Sequence, residues 1–455
     1  MTTSQPSIRL FGTDGIRAPF GTFPLDEQTV CRVGYHLGLM LQEETPDPMV
    51  ILGGDTRQST ETICAWMAAG LRHAGAQTLY GGTLPTPAIA FLVRQREAAA
   101  GVAISASHNL LPDNGIKLFD HLGFKWQVPA EEALEEHLFN HPDQIEDPPA
   151  AKLNLDPSLA AEYREALEQT STDQSGSLGG LKFVIDSANG AASPFAAQVF
   201  RDLGAAVVSL HDQPNGRNIN RDCGSTHPED MARGVLETGA DLGIAFDGDA
   251  DRALFADEQG VVRDGDAALF LWARYLKDSA RLEPPKIVAT SMSNLGLERA
   301  LDGESIELVR CGVGDRTVVN TMMEAGISLG GEQSGHIVDL TQSTTGDGLA
   351  TALQIAKILK HEAKPLSELL APFVRFPQVL INVKVTSKPP LESLPSVAAV
   401  ARDVAVRLSN RGRLVLRYSG TEPLARVMIE GENQHEIDEL AASLIDAIQE
   451  EIGAE

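Results

Sequence analysis

The chain has 455 residues, 43% of them hydrophobic, enough for about three packed domains. Its 63 acidic against 37 basic residues give a net charge of -26. That balance argues against nucleic acid or an anionic membrane as partner, because phosphate backbones demand clustered Lys and Arg. A small anionic substrate stays compatible, since it needs only a local basic pocket inside an acidic shell.

Cys31, Cys64, Cys223 and Cys311 are far apart and form no CxxC pair, so no zinc or redox motif is signalled. Such sparse cysteine suits a reducing compartment. Residues 1–7 are polar and lack the charged-then-apolar build of a signal peptide. No stretch approaches the roughly 18 apolar residues of a spanning helix. A cytoplasmic location is expected.

In chain order, Phe11-Gly12-Thr13-Asp14-Gly15-Ile16-Arg17 is a polar, Gly-rich opening. Arg17 there can stabilise charge in group transfer or stand as a surface arginine. A strand over 49–52 is followed by a helix over 61–73, which has helical apolar spacing and is stopped by Gly75. The strand at 101–104 runs into Ser105-Ala106-Ser107-His108-Asn109, with Lys117 beyond. Ser107 has two readings: a nucleophile awaiting activation, or a turn serine among local side-chain-to-backbone bonds. The Pro- and acid-rich stretch 141–157 reads as a boundary.

A second α/β unit carries a strand at 183–185, a helix over 194–203 and the apolar run 242–246. Then comes Asp247-Gly248-Asp249-Ala250-Asp251-Arg252. Three carboxylates in alternate positions repel one another, but a turning loop aims them at one hard divalent cation, which prefers oxygen ligands. The bland alternative is an acidic surface turn. An EF-hand loop is the sharper rival, with Glu258 at its twelfth position. It fails because Arg252 sits where that loop requires Gly and a strand, not a helix, leads in. Mg²⁺ in an enzyme is the favoured reading.

After a turn at 257–260 the third unit offers a strand at 287–290 and helices over 295–301 and 348–361. Between them, Gly312-Val313-Gly314-Asp315-Arg316 reads as a phosphate or sugar contact, or as a helix cap by Asp315. Gly331-Glu332-Gln333-Ser334-Gly335-His336 reads either as a polar β-turn or as a set of groups, Glu332, Ser334 and His336, that bond vicinal hydroxyls, and its histidine titrates near neutrality and can shuttle a proton. From 365 onward the pattern is α+β, with strands at 379–385, 414–418 and 425–429 and helices over 396–408 and 435–451. Its turn Arg417-Tyr418-Ser419-Gly420-Thr421 offers a guanidinium, hydroxyls and backbone N–H groups to an anion, with Arg426 nearby. The alternative is an ordinary hairpin turn. Neither GxxxxGK[ST] nor GxGxxG occurs, so ATP or NAD is unsupported. Expected domain bounds are 1–152, 153–257, 258–364 and 365–455.

These motifs, in this order from Phe11 to Gly431, resemble the α-D-phosphohexomutase family, and within it the bacterial glucosamine-phosphate branch. The resemblance implies three consecutive α/β domains with mixed, mainly parallel sheets and a C-terminal α+β cap domain around a central cleft. It implies that Ser107 carries the phosphoryl group that is given and retaken, and that this phosphorylation is required for activity. One Mg²⁺ per chain is then held by Asp247, Asp249, Asp251 and the phosphorylated Ser107. Arg252 borders the metal, Arg17 and Lys117 lie near the reacting oxygens, and Glu332 and Ser334 grip the sugar. The turn Arg417, Ser419, Gly420 and Thr421 anchors the phosphate that does not react. The expected partner is a phosphosugar, with no nucleic acid or membrane, and the chain is expected as monomer or homodimer. Glucose and mannose phosphates are the alternative substrates. Three positions depart from the family pattern: Leu110 for Pro, Ala18 for Gly, and Tyr418 for Lys. The last removes a positive charge from the phosphate turn.

Overall fold

The computed structural model describes residues 9–141, 151–169, 177–419 and 422–454. It forms two compact units, Met1–Thr290 with Val309–Leu370, and Ser291–Leu308 with Ala371–Glu455.

The first unit holds three sheets. Six strands run in the order Phe11–Gly12, Gly15–Pro19, Asp113–Phe119, Ala100–Ile104, Met49–Gly54 and Gln77–Thr83. Five run in the order Val262–Arg263, Ala253–Ala256, Leu242–Phe246, Lys182–Asp186 and Ala206–Leu210. Four run in the order Glu307–Cys311, Lys286–Thr290, Leu329–Gly331 and Ile337–Asp339. The sheets are mixed rather than mainly parallel. Parallel pairing occurs where helices provide crossovers, as between Met49–Gly54 and both Gln77–Thr83 and Ala100–Ile104. Where the connecting loop is too short for a crossover, the next strand must return antiparallel. This happens after Ala100–Ile104, after Leu242–Phe246 and after Leu329–Gly331. Each of these returns encloses one of the polar motifs.

Strand burial follows the sequence. Ala100–Ile104 and Leu242–Phe246 are apolar throughout and buried at every position, as expected of strands covered by helices on both faces. The helices Glu27–Glu44 and Thr60–His73 pack across one face of the first sheet at backbone contact. A Cβ built on Gly70 would lie 1.9 Å from the Cys31 carbonyl oxygen.

The second unit is an antiparallel sheet in the order Gln378–Lys384, Leu424–Gly431 and Gly412–Tyr418. Helices Pro395–Leu408 and Gln434–Ile452 bury their apolar residues against it. It also claims the helix Leu295–Gly303, which the sequence places with the third α/β domain. The reason is Glu430, fully buried, which pairs with Arg413 at 2.8 Å and accepts from the Asn294 amide at 3.1 Å and the Leu295 N–H at 3.2 Å. The first unit keeps the chain through Leu370, past the boundary expected at 364.

Candidate active site

Four hairpin loops carry the polar motifs, one from each sheet. In the first unit, the loop after Ala100–Ile104 places Ser107 in the left-handed region at φ +50. Only a strongly braced loop holds a non-glycine residue there. The Ser107 N–H donates to Ser105 Oγ at 2.9 Å, and Ser105 Oγ donates to Asp55 Oδ2 at 2.6 Å. Ser107 Oγ donates to Asp247 Oδ2 at 2.5 Å. Strand ends from two sheets thus bring the serine and the first aspartate together across 140 residues of chain.

Asp247, Asp249 and Asp251 are all buried, and one oxygen from each lies within 4.8 Å of the others. Lys117 Nζ donates to Asp249 Oδ2 at 2.8 Å and to Asp251 Oδ2 at 3.3 Å. Thr86 Oγ1, at the start of a helix, donates to Asp249 Oδ2 at 2.5 Å. Two buried carboxylate oxygens, Asp249 Oδ1 and Asp251 Oδ1, meet no protein donor. An oxygen-only set with two buried lone-pair carriers left over fits a hard divalent cation. The EF-hand alternative is excluded because strands flank the loop on both sides.

Electrostatics divide the triad. Burial, then the charges of Asp251 and Asp249, push the Asp247 carboxyl well above the usual carboxylate range. Asp251 is as deeply buried, yet Lys117, His336 and Arg252 hold it well below that range. Lys117 is buried too, but Asp14, Asp249 and Asp251 raise its affinity for the proton well above normal. It is therefore a fixed cation. Burial, then Arg252 and Arg17, depress His108 to about 4, and His108 Nδ1 lies 3.1 Å from Arg252 Nη1 and 3.4 Å from Ser107 Oγ. A neutral His108 that accepts from Arg252 has no lone pair at Nδ1 to take the serine proton.

Arg17 pairs with Asp14 and reaches Asn109 Oδ1 at 3.4 Å. Asp14 is a hub that the sequence motif contains without announcing. It also meets Lys117 at 3.1 Å and Lys125 at 2.5 Å. Lys125 continues to Asp315, and Arg316 pairs with Glu131. Asp315 and Arg316 are thus engaged in ion pairs that tie the segment after 311 to the first sheet's elements. Asp315 does not cap its helix, whose N-cap is Gly314.

Glu332 and Ser334, the expected hydroxyl-binding pair, lie beside each other in the loop after Leu329–Gly331. Glu332 accepts from the Gly314 N–H at 3.1 Å and from Ser334 Oγ at 3.1 Å, which links the Gly312 loop to the loop of Ser334. His336 departs from the expectation of a proton shuttle. It is 1% exposed, its Nε2 accepts from the Gly346 N–H at 3.0 Å, and its Nδ1 faces Asp251 Oδ2 at 3.6 Å. Nε2 is thus committed to the Gly346 backbone, and Nδ1 faces the aspartate triad.

In the second unit, Arg417 and Arg426 are directly opposite on adjacent strands. Like charges so placed repel, and Arg426 offsets part of that repulsion by pairing with Glu422 at 3.2 Å. Burial, then Arg426, weakens the hold of Arg417 on its proton. The buried Ser419 accepts from the Glu422 N–H at 3.3 Å. Gly420 and Thr421 lie outside the described residues. Lys388, which the sequence did not single out, donates to the Ser419 carbonyl at 2.7 Å and so places a positive charge beside the turn. The Tyr418 hydroxyl donates to the Pro389 carbonyl at 2.7 Å.

Profiles of phosphoglucomutase/phosphomannomutase match in chain order: alpha/beta/alpha domain I over residues 8–144, domain II over 161–260, domain III over 264–376, and the C-terminal domain over 380–447. The chain belongs to this family, and its activity is that of an intramolecular phosphotransferase, an isomerase. Among its relatives, the phosphoglucosamine mutase of Solibacter usitatus is 43% identical over 98% of this chain and 99% of its own. The phosphoglucosamine mutase of Clostridium novyi is 42% identical over 98% and 100%. The fold matches the crystal structure of a phosphoglucomutase/phosphomannomutase family protein from Burkholderia thailandensis, with a TM-score of 0.80, 22% identity and 97% of each chain covered. It also matches the Aspergillus fumigatus N-acetylphosphoglucosamine mutase solved with GlcNAc-6P and magnesium, with a TM-score of 0.65 and 18% identity over 97% of this chain and 96% of that one.

Proposed function

We propose that the protein interconverts glucosamine 6-phosphate and glucosamine 1-phosphate through a phosphorylated Ser107. The observation that carries this reading is Ser107 Oγ, 2.5 Å from Asp247 in a three-aspartate site, within a chain 43% identical to a phosphoglucosamine mutase. The phosphoryl group leaves Ser107 Oγ for the 1-hydroxyl of glucosamine 6-phosphate, whose proton is released. The resulting 1,6-bisphosphate turns around, its 6-phosphoryl group returns to Ser107 Oγ, and the freed 6-hydroxyl regains a proton.

Asp247, Asp249 and Asp251 fit Mg²⁺, which when bound neutralises charge on the transferring group. The chain's own residues supply the rest. Lys117 and Arg17 are fixed cations at the reacting oxygens, and both are held by Asp14. Arg252 lies beside His108, with Nη1 3.1 Å from its Nδ1, at the edge of the site. Glu332 and Ser334 read the sugar's hydroxyl or ammonium groups. Arg417, Ser419 and Arg426 bind the phosphate that is not transferred. Positioning supplies much of the acceleration in this chemistry.

The test compares glucosamine, glucose and mannose phosphates in a coupled assay. The glucosamine pair is expected to give the highest kcat/KM. A higher value for glucose or mannose phosphate would replace the amino-sugar reading with the wider phosphohexomutase one.

A further inference from the structure

Two side chains outside the reacting groups converge on the backbone of the serine loop. Arg57 Nη2 donates to the Ser107 carbonyl at 3.1 Å and to the Asn109 carbonyl at 2.6 Å. Asn220 Nδ2 donates to the same two carbonyls, at 2.8 and 3.0 Å. Each carbonyl therefore accepts from both donors, and both donors are 2% exposed. Arg57 comes from the loop after Met49–Gly54 and is fixed by a buried ion pair with Asp55 at 2.9 Å. The same Asp55 accepts from Ser105 Oγ, to which the Ser107 N–H donates.

Asn220 comes from the other sheet's side and has its own brace. Its N–H donates to the Ala188 carbonyl at 2.9 Å. Asp186, fully buried, accepts from the Ala188 N–H at 2.8 Å and the Gly224 N–H at 3.0 Å, and it faces His211 Nδ1 at 2.9 Å. The Asp186, His211 and Cys223 group resembles a metal site in donor type. Its carboxylate is instead spent on backbone N–H groups and the histidine, which fixes the segment bearing Asn220. The metal loop abuts the same point. A Cβ on Gly248 would lie 2.5 Å from the Ser107 carbonyl oxygen and 2.8 Å from Asn220 Nδ2.

We propose that Asn220 and Arg57 are positioning residues for phosphoryl transfer, clamping the Ser107 and Asn109 carbonyls so that Ser107 Oγ is held in its left-handed conformation toward the aspartates. Neither touches the transferring group. They act through Ser107, and Asn220 makes the serine's aim depend on the sheet that carries the metal loop. This rests on the phosphoserine reading above. Transfer geometry tolerates little error, and a displacement of about 1 Å costs about 100-fold in rate.

The experiment measures single-turnover transfer from glucosamine 1,6-bisphosphate to Ser107 by intact-protein mass, alongside equilibrium binding of glucosamine 6-phosphate. It uses wild type, Asn220→Ala, Asn220→Gln and Arg57→Lys. Wild type is expected to gain one phosphoryl group at Ser107. If it does not, the phosphoserine reading fails, whatever the variants do. With that control met, Asn220→Ala is expected to transfer about 100-fold more slowly while binding sugar phosphate as wild type does. Asn220→Gln, which keeps the amide donors, is expected to recover part of the rate, and Arg57→Lys to fall between. Wild-type transfer in Asn220→Ala overturns the proposal. So does a parallel loss of binding and transfer, or of the folded state, in both Asn220 variants, because that is the signature of a structural role alone.

Discussion

At the scale of single residues, function concentrates charge where burial makes it most consequential. Asp249 accepts from both Lys117 and Thr86 and still has one oxygen without a donor. Asp249→Asn removes the anionic partner of Lys117 and one ligand from the cation set. It is expected to lower kcat by about 100-fold or more and to weaken Mg²⁺ binding in calorimetry, with circular dichroism unchanged. The two proposed substrate contacts should separate by chemical type. Glu332 can read hydroxyls or an ammonium group, whereas the Arg417 and Arg426 pair can read only an anion. Arg417→Ala is expected to raise KM by roughly tenfold or more for glucosamine and glucose phosphates alike. Glu332→Ala is expected to change the ratio of their kcat/KM values. Steady-state kinetics of both variants on both substrates distinguishes the two, and equal effects on sugar preference would contradict the assignment.

At the scale of elements, the helix pair on the first sheet is built on close approach. A Cβ on Gly70 would enter the Cys31 carbonyl, so Gly70→Ala must push Thr60–His73 away from Glu27–Glu44. A loss of about 1–3 kcal/mol is expected, read as a lower urea midpoint. The same first helix buries His36. Burial, then Arg32, His137 and His141, depress it to about 4 from an ordinary 6.5. A histidine depressed in the folded state binds protons more readily when unfolded. Its contribution is therefore intact above about pH 6.5 and is lost as pH falls through 4. His36→Phe should flatten the fall in urea midpoint between those values, and an unchanged slope would contradict this. The hairpin loops explain what was legible in the sequence. Each is a polar run between two apolar strands, so Ser107, the three aspartates and Glu332 stood out by contrast with their flanks. Arg57 and Asn220 did not, because they sit in polar stretches, nor did Lys125, a lone cation between Phe124 and Trp126, and all three meet partners dozens to more than a hundred residues away. The helix Leu295–Gly303 reads locally like any α/β helix, and only its tie to Glu430, beyond local pattern, sets its allegiance.

At the scale of the whole molecule, a net charge of -26 contrasts with a local gathering of Arg17, Lys117, Lys125 and Arg252 in the first unit. Those cations are neutralised in place by Asp14, Asp251 and Asp315, so the site has little net charge to spare without a divalent ion. Among the described residues no helix is long and apolar enough to cross a membrane. The central claim is that Ser107 itself carries the phosphoryl group through the reaction. The direct measurement is a rapid-quench single turnover in which enzyme bearing a radiolabelled phosphate on Ser107 meets glucosamine 6-phosphate in Mg²⁺. The label is expected to leave Ser107, appear in glucosamine 1,6-bisphosphate, and end in glucosamine 1-phosphate, with an unlabelled phosphate regained on the serine. Label that stays on Ser107, or leaves only as inorganic phosphate, while glucosamine 1-phosphate forms at the full rate would contradict it.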